Sequence, residues 1–485
     1  MAAPLLFALI ASVPAAAPIV MDGGFDDWAD VAVALNDPAD APGAAIDFGE
    51  LRVTHDDRFV HLLIDVTRTV NMQRLDGRID ILFDADADLE TGRAVHGMQG
   101  VDLIVELSAP DAENPDRAGR GAAISFPIEG GERRRLNASM IGLVVAPTYA
   151  ADRFELRMER DAAFPGVQSL FSAGSLRGRL VYLDRNGTVL DDTTVFAYDL
   201  TRVKPAPSDH RPDPLARAPG TQLRVMTWNT GMDGLRTKPA TFKRVLHAID
   251  PDVILFQELT EADHPQQVEA FMGAWIAQRQ DTRWTVLRGT GGGQLRCAVA
   301  SRLKIDPYTA LDPLPMPDRP DRSIRIVGGE LTLPDQRLLV VSVHLRCCGY
   351  AGSFEDRTRV VEADAIRRAI ADAVATGRFD GVIIGGDLNL VGSRWPLDIL
   401  AENMHVVEPL QIGGRSNTSW RDDRQPFLPG RLDFILVTDA SLSVRRSFVL
   451  DTRLLNPRWL RRHGLRTGDT TEASDHLPVV VDLGP

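Results

Sequence analysis

Apolar and polar residues alternate over short stretches in the first 200 residues of the chain. In the segment FVHLLIDV, every second residue from Val60 to Val66 is apolar, and the same pattern recurs from Val101 to Leu107. An alternation of period two predicts half-buried β-strands. Asn186-Gly187 separates two further apolar runs and predicts a hairpin turn. Short strands with frequent turns predict an all-β sandwich over residues 18–200.

The second half of the chain combines helical and strand patterns. Apolar residues recur at the spacing of one helical face over residues 242–249 and 363–373, and short apolar strands follow at 253–256 and 382–384. Residues 322–344 contain further strands in meander-like succession. Strands interspersed with helices predict an α/β sandwich with mixed sheets over residues 221–485.

The two halves differ in charge and are separated by a proline-rich stretch. Residues 201–220 contain five prolines and no apolar periodicity, which predicts an extended linker. Residues 221–485 contain 33 basic and 33 acidic residues, so the net charge of −13 lies entirely in residues 1–220. This asymmetry indicates two domains with different tasks.

The first residues of the chain have the pattern of an export signal. An apolar run from Leu5 to Val13 is followed by three alanines, residues 15–17. This pattern predicts a signal peptide over residues 1–17 and an exported protein, periplasmic or extracellular. The rest of the sequence has no apolar run of about 18 residues, so no transmembrane span is predicted.

Cysteine usage excludes two classes of small stabilised domain. The chain has only Cys297, Cys347 and Cys348, too few for a disulfide scaffold or a cysteine-rich zinc module. A disulfide between Cys297 and one of the vicinal pair stays open.

Three carboxylates at alternate positions, Asp84, Asp86 and Asp88, form a candidate calcium site in the first domain. Oxygen-rich clusters suit Ca²⁺, but Leu89 stands where an EF-hand needs glycine and Val95 where it needs glutamate. The alternative is a solvated acidic turn.

Polar residues of the kinds used in catalysis stand repeatedly at the ends of apolar strands in the second half. They are Asn229, Glu258, His344, Asp387, Asn389, Asp433, Asp475 and His476. Their carboxylate and amide oxygens are ligands that Mg²⁺ or Mn²⁺ prefers, and the two histidines supply acid–base groups. The chain has no G-x-S-x-G, HExxH or CxxC motif, so a serine hydrolase of that type and a zinc site are poorly supported.

The segments that carry these residues form an ordered series: TWN, LFQEL, SVHL, GGDLN, RLDFIL and SDHLP. In this order and spacing they resemble the endonuclease/exonuclease/phosphatase superfamily, and the resemblance spans residues 221–485. It implies a four-layered α/β sandwich of the deoxyribonuclease I-like type, with a Mg²⁺-dependent phosphoesterase site between its two sheets.

The resemblance also implies a role for each matching position. Glu258 resembles the principal metal ligand, assisted by Asn229 and Asp475. Asp387 resembles the group that orients or deprotonates the attacking water, and Asn389 resembles one that holds the phosphate.

The remaining three positions resemble acid–base and phosphate-binding groups of the superfamily. Asp433 and His476 resemble its Asp–His dyad, and His344 resembles a histidine that contacts the phosphate or the leaving oxygen. The resemblance therefore implies a phosphodiesterase with these three catalytic residues beside Asp387 and Asn389.

The first domain resembles a different group of proteins. The segments MDGGFDDW, THDDRFVHLLIDV and ILFDADADLETG resemble β-sandwiches of the carbohydrate-binding-module-9-like or DOMON-like type, which are attached to exported enzymes. This resemblance implies a carbohydrate or other ligand for residues 18–200.

The leading hypothesis is an exported Mg²⁺-dependent phosphodiesterase, in particular a nuclease with nucleic acid as its partner. Arginines interleaved with Trp420 and Trp459 would suit phosphates and bases, although a solvated face is an equal alternative. A sphingomyelinase-type phospholipase, a small-molecule phosphoesterase, and a surface-binding protein with a vestigial hydrolase domain remain alternatives. The sequence determines neither the substrate nor the oligomeric state.

Overall fold

The computed structural model describes residues 18–109, 121–127, 133–163, 170–171, 173–201, 203, 212–276, 283–438 and 442–485. The predicted signal peptide, residues 1–17, lies outside these residues, as do residues 202 and 204–211 of the predicted linker.

Residues 33–199 form two antiparallel sheets. Their strands are β1 Val33–Asn36, β2 Glu50–His55, β3 Phe59–Val70, β4 Arg78–Asp84, β5 Arg93–Val95, β6 Met98–Val101, β7 Leu103–Leu107, β8 Ala122–Pro127, β9 Arg133–Asn137, β10 Val144–Ala146, β11 Ala151–Glu159, β12 Ser175–Leu183, β13 Val189–Asp192 and β14 Phe196–Asp199. The first sheet has the order β1-β2-β3-β11-β10; the second has the order β13-β12-β4-β7-β8-β9, with β14 also paired to β12. Strands β5 and β6 form a separate hairpin.

The side chains between these sheets follow the alternation seen in the sequence. Leu62 and Ile64 of β3 and Ile81 and Phe83 of β4 are fully buried in one apolar cluster. Strands β12 and β13 pair antiparallel around the turn predicted at 186–187. The all-β sandwich predicted for this half is confirmed.

The second half contains the remaining strands and the α-helices of the described residues. The strands are β15 Leu223–Asn229, β16 Val253–Leu259, β17 Thr285–Arg288, β18 Arg296–Ser301, β19 Ile305–Pro307, β20 Pro315–Met316, β21 Arg319–Ser323, β22 Ile326–Thr332, β23 Arg337–His344, β24 Gly381–Asp387, β25 His405–Val406, β26 Asp433–Val437, β27 Ser443–Val449 and β28 Val479–Gly484. The helices are α1 Gly234–Thr237, α2 Pro239–Ile249, α3 Pro265–Trp275, α4 Phe354–Ala375, α5 Trp395–Leu400, α6 Pro457–His463 and α7 Asp469–Ala473.

Two mixed sheets of six strands make up the centre of this half. One has the order β17-β18-β16-β15-β28-β27 and the other β19-β22-β23-β24-β26-β25. Only the pairs β15–β16 and β23–β24 are parallel among the described ladders of these two sheets. Strands β20 and β21 form a small separate hairpin.

Three apolar clusters hold the layers of this half together. Leu255 and Ile435 belong to the cluster between the two sheets. Phe242 of α2 packs in the cluster on the outer face of the first sheet, and Ile366 of α4 packs in the cluster on the outer face of the second. The order of layers is helices, sheet, sheet, helices, which confirms the predicted four-layered α/β sandwich.

Helix α4 begins nine residues before the helical pattern predicted from Ala363. Ser353 caps it by accepting a hydrogen bond from the backbone N–H of Asp356, and acidic residues occupy the first turn, where they favour helix formation. The first two turns bury polar residues, including Asp356 and Arg359, instead of apolar ones. Apolar periodicity alone therefore could not locate the start of this helix.

The described end of the predicted linker is packed against the α/β domain. Leu215 is buried in the cluster that contains Phe242, and Arg446 donates a hydrogen bond to the carbonyl of Pro214 at 2.6 Å. Residues 212–220 are therefore part of the domain surface and do not form the extended spacer that their proline content predicted.

The β-sandwich contacts the α/β domain directly along several loops. The backbone N–H of Met21 donates to the carbonyl of Arg415 at 2.9 Å, and that of Arg431 donates to Oγ1 of Thr148 at 3.0 Å. Leu428 of the α/β domain is buried in the core cluster of the β-sandwich. The two halves share an interface through both polar and apolar contacts.

All three cysteines are free thiols, so Cys297 forms no disulfide with Cys347 or Cys348 in the structure. Cys297 is buried, and its thiol donates to the carbonyl of Arg325 at 3.3 Å. No helix among the described residues is long and apolar enough to cross a membrane.

Candidate active site

The first sheet of the α/β domain brings three of the predicted residues to one edge. Strand β15 ends at Asn229, and the parallel strand β16 pairs Gln257 with it, so that Glu258 follows at the same end. Strand β28 runs antiparallel to β15 and begins just after His476. The carboxyl ends of two strands and the start of a third therefore converge, as their sequence positions predicted.

The second sheet aligns three further residues in direct register. His344 ends β23 opposite Asp387, which ends the parallel strand β24. Asp433 begins the antiparallel strand β26 and is paired with Asp387 in turn. The three side chains consequently lie side by side across the sheet, and all are buried.

His476 and Asp433 join the two sheets by a side-chain hydrogen bond. Nδ1 of His476 lies 2.8 Å from Oδ2 of Asp433, and the hydroxyl of Ser419 donates to the same oxygen at 2.8 Å. Because a carboxylate only accepts, Nδ1 carries the proton. Nε2 of His476 lies 3.7 Å from Oδ2 of Asp387.

Asp387 is the centre of this network. Asn229 donates from Nδ2 to its Oδ2 at 3.1 Å, and the backbone N–H of Asn389 donates to its Oδ1 at 2.9 Å. Nε2 of His344 lies 3.5 Å from Oδ2. Asn389 has a left-handed backbone with φ of 50°, which lets the chain turn back onto the carboxylate directly after the strand.

The pKa values of the two histidines in the network are shifted in opposite directions. Burial lowers the pKa of His476, but the carboxylates of Asp433 and Asp387 outweigh burial and raise this pKa to about 10. Burial, together with the charges of Arg325 and His476, holds the pKa of His344 well below its usual value. At neutral pH His476 is an imidazolium and His344 is a neutral ring.

The pKa of Asp387 is raised to about 7 by burial, and the nearby charges of Asp433 and Glu258 add to this effect although His476 opposes it. A carboxylate with a pKa near neutrality is suited to exchange a proton with water. A bound cation would reduce the repulsion between Asp387 and the carboxylates of Asp433 and Glu258.

The oxygen atoms of this region fit a divalent cation of the Mg²⁺ type. Carboxylate oxygens of Asp387 and Asp433 lie within 4.8 Å of each other beside the imidazolium of His476, and Oδ1 of Asp433 is buried without a hydrogen-bond partner among the described residues. Glu258, which has φ of 60°, lies 3.8 Å from Nε2 of His344 through Oε1. Carboxylate and amide oxygens are hard ligands of the kind that Mg²⁺ takes.

Asp475 stands at the rim of the same region. Its Oδ2 accepts a hydrogen bond from the indole N–H of Trp420 at 3.0 Å, and its Oδ1 accepts from Ser474 at 3.3 Å. The indole orients one carboxylate oxygen, so that Trp420 acts here as a polar partner of a predicted metal ligand.

A cavity of about 440 Å³ opens onto this network. Five of the eight predicted residues line it, namely Glu258, Asp387, Asn389, Asp475 and His476. Asn229, His344 and Asp433 lie behind them, buried and in contact with Asp387 or His476. The structure thus brings all eight predicted residues together, and their chemical roles stay a prediction.

Sequence reasoning missed two residues that position this network. Nη1 of Arg325 lies 3.3 Å from Nδ1 and 3.5 Å from Nε2 of His344, so the guanidinium lies against the ring, and its charge adds to burial in lowering the pKa of His344. Arg325 directly precedes β22 and Ser419 lies in a loop, and neither belongs to the carboxylate, amide and imidazole types that the strand-end pattern singled out. The only local signal for Arg325 was the position of this basic residue directly before the strand that begins at Ile326.

The acidic residues of the β-sandwich form a cluster that differs from the predicted one. Carboxylate oxygens of Asp84, Asp86 and Asp102 lie within 4.8 Å of one another, whereas Asp88 is exposed and accepts from the backbone N–H of Glu90. Asp84 is fully buried, and its Oδ1 has no hydrogen-bond partner among the described residues. Asp102 lies between β6 and β7, distant from Asp84 in the sequence, so the spacing of the acidic residues did not indicate that it joins the cluster.

Comparisons with known proteins place this chain in a family. A search of curated proteins gave no match. Solved structures similar to the chain include a 3′ phosphatase, NExo, from Neisseria bound to a product DNA hairpin, with 18% identity over 54% of this chain and 98% of that chain and a TM-score of 0.39. An endonuclease/exonuclease/phosphatase from Bacteroides vulgatus shows 15% identity over 54% and 98%, with a TM-score of 0.37.

The catalytic domain of human Nocturnin, solved with bound sulfate, shows 17% identity over 54% of this chain and 93% of that chain, with a TM-score of 0.36. The model of the endonuclease/exonuclease/phosphatase family matches residues 226–476, about half of the chain. This stretch contains the whole network around Asp387. The chain belongs to the endonuclease/exonuclease/phosphatase family.

Proposed function

We propose that this phosphoric ester hydrolase is a Mg²⁺-dependent phosphodiesterase that cleaves nucleic-acid phosphodiester bonds by attack of water. The observation that carries the proposal is the pair Asp387 and His476 in the lining of a cavity, with Asp433 behind them and Glu258 and Asp475 in the same lining. Carboxylates crowded beside an imidazolium suit the binding of a phosphate together with a cation.

Each residue of the network has a separate task in this proposal. Asp387, with its raised pKa of about 7, orients the attacking water and accepts its proton. His476 remains an imidazolium and donates from Nε2 to a phosphate oxygen, while Asp433 holds its ring through Nδ1. His344 is a neutral ring whose Nε2 lies 3.5 Å from Oδ2 of Asp387 and 3.8 Å from Oε1 of Glu258, where it can contact the phosphate or the leaving oxygen.

Glu258, Asn229 and Asp475 are the proposed ligands of Mg²⁺ or Mn²⁺. A bound divalent cation would neutralise phosphate charge and polarise the phosphorus–oxygen bond. Asn389 lines the cavity beside Asp387; one N–H of its amide donates to the carbonyl of Leu345 at 3.3 Å, and the second is the proposed donor to a phosphate oxygen.

Two further assignments belong to the same proposal. We propose that the protein is exported, as its first 17 residues predict. We also propose that the β-sandwich binds Ca²⁺ through Asp84, Asp86 and Asp102, because three carboxylates lie together there and Oδ1 of Asp84 has no hydrogen-bond partner among the described residues, while Arg177 pairs with Oδ2 at 3.2 Å. Its carbohydrate ligand stays a prediction.

The proposal is tested with the full-length protein and four substrates: single-stranded DNA, RNA, sphingomyelin and bis(p-nitrophenyl) phosphate. We expect cleavage of nucleic acid with Mg²⁺ or Mn²⁺, and its loss with EDTA. Asp387→Asn should lower kcat by about 10²-fold or more. Asp306→Asn, at an exposed position of β19, is the matched control and should leave kcat unchanged.

Three outcomes would contradict the proposal. Hydrolysis that is undiminished in EDTA excludes the divalent cation. Sphingomyelin as the only substrate identifies a phospholipase. No hydrolysis of any substrate favours a surface-binding protein with an inactive hydrolase domain.

A further inference from the structure

The cavity over the catalytic network has walls from both halves of the chain. Its lining from the β-sandwich comprises Asn71, Gln73, Arg74 and Thr148. The first three follow β3, a strand of the β-sandwich, and they face Glu258, Asp387 and His476 across the cavity. The β-sandwich is therefore part of the active-site cavity.

Hydrogen bonds fix this wall to the loops that carry the catalytic residues. Nδ2 of Asn71 donates to the carbonyl of Val391, two residues after Asn389, at 3.0 Å. Its Oδ1 accepts from the backbone N–H of Ala351 at 2.8 Å, in the loop that follows His344. Asn71 thus ties together the loops after β23 and β24.

Gln73 makes a second attachment. Its Oε1 accepts from the backbone N–H of Leu428 at 2.7 Å, and Leu428 is buried in the core of the β-sandwich. The wall is held by polar and apolar contacts on both sides of the cavity. Such a wall has a defined position relative to Asp387.

Arg74 brings a positive charge to this wall. Its guanidinium lies 5.1 Å from the centre of the Tyr350 ring, and its Nε is buried and has no hydrogen-bond partner in the part of the chain that the structure describes. Within the described residues, no carboxylate lies within ion-pair distance of Arg74. A partly desolvated guanidinium that lines a cavity and lacks a carboxylate partner is suited to bind a phosphate.

The arginines outside the cavity offer less to a polyanion. Three of those that flank Trp420 or Trp459 are already paired with carboxylates: Arg421 with Asp423, Arg424 with Asp422 and Arg462 with Asp213. Each phosphate contact of a nucleic-acid surface needs a cation or a backbone amide that is available. The exposed arginines are therefore less suited to bind a long duplex than the cavity is to bind a single phosphate.

The size and lining of the cavity set the size of the ligand. A volume of about 440 Å³ falls in the range of roughly 300–1,000 Å³ typical of small-molecule sites. Apolar side chains of Val391, Phe427 and Leu432 line it beside the catalytic carboxylates. This combination suits a phosphodiester that carries a flat, apolar group such as a nucleobase.

We propose that the β-sandwich restricts the active site to nucleotide-sized phosphodiesters and that Arg74 binds substrate phosphate. The inference rests on the proposed phosphodiesterase function. The ligand is either a small phosphodiester or the end of a single strand, because both present one phosphodiester beside one exposed base. We expect internal bonds of duplex DNA to be excluded, since Asn71, Gln73 and Arg74 form one wall of the cavity onto which the network opens.

The substrate range is tested with full-length protein, Mg²⁺ and three probes: bis(p-nitrophenyl) phosphate, an end-labelled single-stranded oligonucleotide, and covalently closed circular duplex DNA. We expect hydrolysis of bis(p-nitrophenyl) phosphate, shortening of the oligonucleotide from its ends, or both. The circular duplex should remain intact. Hydrolysis of bis(p-nitrophenyl) phosphate alone identifies small phosphodiesters as the substrates. Nicking of the circle as fast as cleavage of the other two would overturn the restriction.

The role of Arg74 is tested by substitution. Arg74→Ala should raise KM about ten-fold or more and leave kcat within a few-fold, because a hydrogen bond to a charged group contributes about 1.5–3 kcal/mol. Arg74→Lys should recover part of the loss, since it retains the charge. Arg185→Ala is the matched control, because Arg185 forms an exposed ion pair with Asp76 away from the cavity.

A binding measurement separates this inference from the proposed function. A phosphorothioate dinucleotide is titrated calorimetrically into Asp387→Asn protein and into the same variant with Arg74→Ala. Binding that weakens about ten-fold on loss of Arg74 supports the inference even if no substrate is hydrolysed. Equal binding by both proteins, or an unchanged KM in Arg74→Ala, overturns the role of Arg74.

Discussion

Oδ2 of Asp433 lies 2.8 Å from Nδ1 of His476, and both side chains are buried at the junction of the two central sheets. The carboxylate fixes the tautomer of the ring and stabilises its protonated form. The ring then presents Nε2 toward Asp387 and the cavity.

The first prediction follows from this pair. Asp433→Asn should lower kcat by about 10²-fold or more, because an amide can donate to Nδ1 and reverse the tautomer. Steady-state kinetics measure kcat, and circular dichroism checks folding. Turnover equal to that of the wild type would show that the pair is structural only.

Loss of the dyad should also change the pH dependence of activity. The pKa of His476 is raised to about 10 by Asp433 and Asp387 against the effect of burial, so the imidazolium persists through neutral pH. In Asp433→Asn this pKa should fall, and the alkaline limb of the kcat profile should move to lower pH. A profile whose alkaline limb stays in place would contradict the assignment of that limb to His476.

The second prediction concerns the cation. Mg²⁺ should raise the Tm of the full-length protein, because a ligand that binds only the folded state stabilises it by linkage. Glu258→Gln should reduce this shift by removing one anionic ligand. Glu261→Gln, three residues further on and exposed, is the control and should retain the full shift. Equal Mg²⁺ shifts in both variants would remove Glu258 from the cation site.

The third prediction concerns Asp387 and the stability of the cation-free protein. Burial, Asp433 and Glu258 raise its pKa to about 7, whereas an unfolded aspartate has a pKa near 4. Between these values the folded state binds more protons than the unfolded state, so the free energy of unfolding falls as pH rises from about 4 to about 7.

Asp387→Asn removes this contribution. In EDTA, the Tm of the variant minus that of the wild type should therefore become more positive between pH 4 and pH 8. Differential scanning calorimetry at several pH values gives the trend, and Asp306→Asn supplies the baseline. A difference that is independent of pH would contradict the raised pKa.

The fourth prediction tests the acidic cluster of the β-sandwich. Ca²⁺ should raise the Tm of the full-length protein, and Asp102→Asn should reduce this shift, because Asp102 lies in the cluster with Asp84 and Asp86. Asp88→Asn should retain the shift, since Asp88 is outside the cluster and exposed. Calcium-independent melting would favour a solvated acidic turn.

The pH dependence of this calcium effect has a defined sign. Burial, followed by the charges of Asp86 and Asp84, raises the pKa of Asp102 to about 6. Below this pH the carboxyl is protonated and a cation must displace the proton. The calcium shift should therefore weaken as pH falls from about 7 to about 5.

Local patterns in the chain were sufficient to predict both sandwich folds and the family of the second half. Strand and helix periods are local properties that residues such as Leu62 and Phe242 carry in their spacing. The eight candidate site residues were found because each stands at a strand end, and strand ends at one edge of a sheet meet in space.

The surroundings of those residues depend on how distant segments pack together. Arg74 and Asp387 lie in one cavity, yet neither periodicity nor spacing connects a β-sandwich loop to the α/β domain. Asp102 joins Asp84 in place of Asp88 through the packing of separate segments. These contacts depend on how two folded surfaces fit together, and such fit arises from many distant residues at once, so no single stretch of sequence contains it.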